Sequence, residues 1–211
     1  MDDTARDQAF MSALVTEHFV LQSQAATATS ESGTRASLYL LSLSSGLVAM
    51  GFAAQASPHA FRVFAAGVLP ALCLIGCFTV VRLVDTSIAN VMCLRRIARI
   101  RRYYASLLPN AGRYFPHSGG DEQDSLVMLG ARRLGLMLWF TLASMVGVVN
   151  AIVAGTSIAV LLDAGLDLDG GVSVAVGIVV AAAAAVLVVV YERHRFRTAF
   201  ADEPGAEHSD R

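Results

Sequence analysis

The sequence predicts an all-α integral membrane protein: four transmembrane helices in two hairpins, with amphipathic helices on the cytoplasmic side. Three observations lead there. Of the 211 residues, 55% are hydrophobic and the mean hydropathy is +0.56, well above a soluble globular average. The apolar residues gather in four nearly charge-free runs, 36–56, 63–81, 134–153 (continuing to 162) and 172–191. At about 1.5 Å per residue, each is long enough as a helix to cross roughly 30 Å of hydrocarbon. All sixteen basic residues are arginine, and most of them flank these runs. A soluble chain of this size would have too few polar residues to cover four such helices.

The chain therefore divides into an N-terminal amphipathic helix and connector (1–35), a first transmembrane hairpin (36–84), a basic helix and loop (85–133), a second hairpin (134–191) and a disordered tail (192–211). Arginine without lysine, with abundant Ala, Val and Gly, points to a high-GC bacterial genome and carries no functional meaning. The first 35 residues are polar and hold Asp2, Asp3, Asp7, Glu17 and Glu31, so no cleavable signal peptide is expected and the first membrane helix serves as its own insertion signal.

Residues 4–30 read as a helix that does not span. Phe10, Met11, Leu14, Val15, Phe19 and Leu21 recur at mostly helical spacing, and only Arg6 supplies positive charge, which favours packing on a partner helix over lying on a lipid surface. His18 reads as an ordinary interface residue. The small polar stretch 27–35 is expected to connect this helix to the first span.

The first span holds Ser42, Ser44, Ser45 and Gly46. Ser42 and Gly46 form a small-xxx-small pair that lets another helix come close, and the serine hydroxyls have carbonyls of their own helix to bond to. The link 57–62 is short, so spans one and two form an antiparallel hairpin. Pro70 removes a backbone donor from the second span and is expected to kink it. Arg82 and Asp85, three residues apart at its inner end, are placed to pair on one helix face; the pair reads as an interface marker with a snorkelling arginine, or as a charged switch within the membrane.

Beyond the span the helix is expected to continue to about residue 108. Arg95, Arg99 and Arg102 fall on one face, and Ile97, Ile100, Tyr104 and Leu108 on the other. Three roles compete for this basic face: orientation with anionic lipid contact, docking of an acidic partner, and binding of a phosphorylated ligand. Pro109 ends the helix, a turn-rich loop follows, and Asp121, Glu122 and Asp124 open the next helix, which enters the third span through Arg132 and Arg133.

Gly147, Ala151 and Gly155 make a ridge of small residues at spacing four in that span, suited to tight helix packing. Asn150 beside the ridge is a polar group that bonds across helices, within one chain or between subunits. Asp163, Asp167 and Asp169 follow without the twelve-residue pattern or closing Glu of a calcium loop. Cys73 and Cys77 share a helical face with no third ligand nearby in sequence, so no metal site and no cofactor are expected.

Counting arginines by loop sets the topology. Nine lie between spans two and three, Arg62 alone lies between one and two, and none lies between three and four. By the positive-inside rule the central segment and both termini are cytoplasmic, which places the protein in the bacterial inner (plasma) membrane with little outside it. The nucleophile, metal-protease and P-loop motifs are missing, so the sequence predicts a protein that is not an enzyme and that has no nucleic-acid polymer as partner.

Residues 10–104 carry one family resemblance. A cytoplasmic helix, a polar connector with an acidic residue and a basic-Ala step (ESGTRA, 31–36), a serine-containing span, a second span and a long inner helix together resemble the small membrane effectors of bacterial cyclic-nucleotide antiphage systems, the Pycsar and SLATT-type families. Those effectors typically have one hairpin, and this chain has a second. The resemblance implies antiviral defence and nucleotide binding through a cytoplasmic signal such as a cyclic nucleotide, sensed by the N-terminal helix and the face of Arg95, Arg99 and Arg102. Homo-oligomeric assembly through the small-residue ridges would then impair the membrane. The competing readings are a structural anchor that docks a cytoplasmic protein and, less well supported by scattered polar residues, a small channel or transporter.

Overall fold

The computed structural model describes residues 3–107, 110, 114, 141–166 and 169–201. Over them the chain is helical: α1 is Asp3–Ala56, α2 Pro58–Ser106, α3 Leu142–Leu166 and α4 Gly170–Ala201. All four are long and apolar enough to cross a membrane. The chain splits into two compact units, one formed by Met1–Glu31 and Asp85–Met137, the other by Ser32–Val84 and Leu138–Arg211.

α1 runs without interruption through the stretch expected to be a connector. Its polarity is absorbed locally, because Thr27 and Thr29 each donate to the carbonyl four residues back, at 2.9 and 3.0 Å. The stretch contains no proline, and Gly33 alone costs a helix only about 1 kcal/mol. The link to α2 is shorter than expected as well, with Ser57 as the one residue between the helices. The Ser57 Oγ accepts the Ala60 N–H at 3.0 Å and Pro58 takes the first helical position, the residue types that start a helix best. Pro70 lies inside α2 without ending it.

In the first unit, α1 and α2 pack antiparallel. Leu21, 2% exposed, joins Ile97 and Ile100, with Leu14, Cys93 and Tyr104 around them. Phe10 meets Tyr103 edge to face at 5.8 Å between ring centres, and Cys93 lies 3.7 Å from Gln24 Oε1. The α1 residues turned inward are Met11, Leu14, His18, Leu21, Ala25 and Ala28, the alternating three-four spacing of a coiled-coil seam. Phe10, Val15 and Phe19, expected on the packing face, are exposed.

In the second unit, Met50, Ala65, Leu69, Leu72 and Val153 form a core cluster flanked by Leu43, Phe61, Val68, Cys73 and Val160. α3 packs on α4 along small residues. A Cβ on Gly147 would meet Val188, one on Gly155 would meet the Gly177 carbonyl and Ala181, and one on Gly177 would stand 2.9 Å from Ala159. The outward side chains of this unit, among them Leu41, Phe52, Leu74, Phe78, Ile152, Ile178 and Leu187, are large and apolar. The predicted start of the third span, residues 134–140, lies outside the described residues, as do Asp121, Glu122, Asp124, Arg132, Arg133 and Asp167. α4 runs past Tyr191 to Ala201, so residues 192–201, expected to begin the tail, are helical.

Candidate functional site

The centre of the second unit is a buried polar network. Asn150, 6% exposed, reaches α3's neighbours in two directions: its Oδ1 accepts the Tyr39 hydroxyl at 3.2 Å and its Nδ2 lies 3.4 Å from Cys77 Sγ. Tyr39 is 1% exposed. The Asn150 amide occupies the space a Cβ on Gly76 would need, so the missing side chain of Gly76 is what admits it. One residue from each of α1, α2 and α3 is thereby joined through side chains whose polar atoms satisfy one another, as a buried polar group in an apolar surround requires.

A second polar cluster joins α3 to α4. Thr141 caps α3, its Oγ1 accepting the Ser144 N–H at 3.0 Å. The two hydroxyls are 2.7 Å apart, and Ser144 Oγ donates to Glu192 Oε2 at 3.0 Å. Glu192 is 1% exposed, and its Oε1 is buried with no hydrogen-bond partner.

In the first unit, Arg99 and Arg102 are exposed and Arg95 is half-buried with its Nε buried, while Ile97 and Ile100 are buried; Leu108 lies outside the described residues. Arg96 is exposed beside the other arginines. In the seam of the helix pair, His18 is half-buried, with Nε2 3.2 Å from Gln22 Nε2 and Nδ1 buried without a partner. Burial and then the nearby Arg101 guanidinium hold its pKa below the usual 6.5.

Of the other residues singled out from sequence, Ser42 bonds back to the Leu38 carbonyl at 2.8 Å, and Gly46 packs on Leu72 and Val68 of α2. Gly147, Ala151 and Gly155 are buried in α3. Arg82 is exposed, Asp85 half-buried, and both take part in polar interactions. Among the described residues no group of three His, Cys, Asp or Glu is arranged to hold a metal ion.

Two residues were missed by sequence reasoning. Tyr39 carried a usable signal, since a tyrosine amid leucines in a membrane run needs a partner for its hydroxyl. Glu192 carried none, because an acid directly after an apolar run reads as a solvated flank. No protein family, curated protein or solved structure matches the chain.

Proposed function

We propose that this chain is a multi-pass protein of a bacterial inner membrane, with both termini cytoplasmic, that acts as a signal-responsive membrane effector. The helix pair of the first unit receives an anionic cytoplasmic signal, a cyclic nucleotide or an acidic protein segment, on the face of Arg95, Arg99 and Arg102. The membrane helices then assemble as a homo-oligomer and impair the membrane. The observation that carries this reading is the continuity of α1 and α2: each supplies one part to the polar unit and another to the apolar unit within a single unbroken helix. The apolar outward side chains of the second unit support insertion, because a soluble monomer rarely exposes so large an apolar surface.

The test is controlled expression in a bacterial host, reading membrane potential and survival, with Arg95→Glu/Arg99→Glu/Arg102→Glu alongside at matched membrane levels. The parent is expected to depolarise cells when the signal is supplied, and the variant to fail. If neither perturbs the membrane, even with cyclic nucleotides or a cyclase supplied, the chain is instead an anchor for a cytoplasmic partner.

A further inference from the structure

A carboxylate sealed between helices is the least expected group in this molecule. Glu192 is 1% exposed and sits on α4, directly after the apolar run. Its Oε2 takes one hydrogen bond from Ser144, and its Oε1 is buried with none. Two cations adjoin it in sequence, Arg193 and Arg195, and both are exposed with His194 between them. Among the described residues, Ser144 is the side chain that donates a hydrogen bond to it.

The surroundings favour a neutral group. Burying a carboxylate is costly unless it is paired with an opposite charge and fully hydrogen-bonded. Here one oxygen takes a single hydroxyl hydrogen bond, the N-terminal end of α3 lies near Ser144, and the other oxygen is buried with no hydrogen-bond partner. A metal cation is a poor occupant. Hard cations take about six or more oxygens, whereas this cluster holds the carboxylate and the Thr141 and Ser144 hydroxyls, already committed to one another, and the positive end of a helix dipole lies beside them.

We propose that Glu192 is a proton-binding site: Oε1 takes a proton from hydronium, forming an O–H bond and releasing water, and stays protonated at neutral pH while α3 and α4 are packed. The Thr141 hydroxyl donates to Ser144, Ser144 donates to the carboxyl oxygen Oε2, and the proton on Oε1 completes the neutral group. Losing that proton places a negative charge between α3 and α4 with one donor to hold it, so proton release and separation of these helices at the Glu192 end are linked. The proposal is independent of the effector reading, since it concerns Glu192 whether or not expression depolarises a membrane.

Infrared spectroscopy of the purified full chain in detergent micelles at pH 7 tests it, because exposed carboxyls are then ionised and a protonated acid shows a separate carbonyl stretch. The parent is expected to show that band, Glu192→Gln to lose it, and Ser144→Ala to keep it at higher frequency, the hydrogen bond to the carbonyl being gone. Should Glu192→Gln fail to fold, the Ser144→Ala shift carries the assignment. A parent without the band, a band that survives in Glu192→Gln, or one that Ser144→Ala leaves unmoved overturns the proposal.

Discussion

The Tyr39 hydroxyl donates to Asn150 Oδ1 at 3.2 Å across 111 residues of chain, both side chains buried. This bond ties the first hairpin to α3, and the amide that accepts it also reaches Cys77. Interhelical hydrogen bonds in membrane proteins average about 0.6 kcal/mol and reach about 1.7. Tyr39→Phe is therefore expected to cost about that much in resistance to detergent-induced unfolding. Asn150→Ala removes an acceptor and a donor at once and leaves the Tyr39 hydroxyl buried without a partner, at about 1–3 kcal/mol. A double-mutant cycle should return a coupling between the two; strict additivity would show that the bond contributes nothing.

Gly76 and Gly51 separate packing from helix propensity. Gly76→Ala drives a methyl into the Asn150 side chain, whereas nothing lies within 4 Å of a Cβ on Gly51. Gly76→Ala should lower thermal stability in detergent by about 1–3 kcal/mol, the usual cost of overpacking. Gly51→Ala should leave it unchanged or raise it by roughly 0.5–1 kcal/mol.

Gly155 and Gly177 bring the backbones of α3 and α4 together, each blocking the place a side chain on the other would take. Gly155→Leu is expected to separate the two helices and to lower thermal stability in detergent by about 1–3 kcal/mol, the usual cost of overpacking. An unchanged unfolding midpoint would contradict the close approach.

Leu21 and Phe19 differ in which side of α1 they occupy. Leu21→Ala should weaken hydrogen-exchange protection of the α1 and α2 amides in the first unit by about 2–5 kcal/mol, the range for a buried leucine. Phe19, 65% exposed, is expected to tolerate alanine within about 0.5 kcal/mol.

His18 makes this helix pair sensitive to acid. Its pKa in the folded chain lies below 6.5, so the unfolded chain binds the proton more readily. The contribution of His18 is complete above about pH 6.5, the unfolded value, and is lost as pH falls from there through the folded pKa. Protection in the first unit should decline over that interval in the parent and stay flat in His18→Gln. Equal decline in both would place the acid sensitivity elsewhere.

Much of the architecture was legible in the sequence because it is written locally. Hydrophobic runs report span length, arginines on successive turns report the exposed face of α2, and small residues at spacing four report where α3 lies close to another helix. Each needs only the rise and period of one helix. The expected break at residues 27–35 did not occur because threonines that look like a connector bond back to their own helix, and a helix that satisfies its polar side chains internally has no reason to stop.

What the sequence by itself determined is the inventory: which stretches are apolar enough for lipid and where positive charge gathers. Only the tertiary structure decided the pairings. Asn150 was evident as a polar residue in an apolar run, but its partners Tyr39 and Cys77 follow from the register of three helices. Glu192 was indistinguishable from a solvated flank until α3 covered it. The α1 seam runs through His18 and Leu21 and leaves out Phe19 because the antiparallel fit to Ile97 and Ile100 selects one stripe of a helix with apolar residues on several sides. Composition is recorded along one dimension; which face is buried, and against what, depends on distances between residues far apart in the chain.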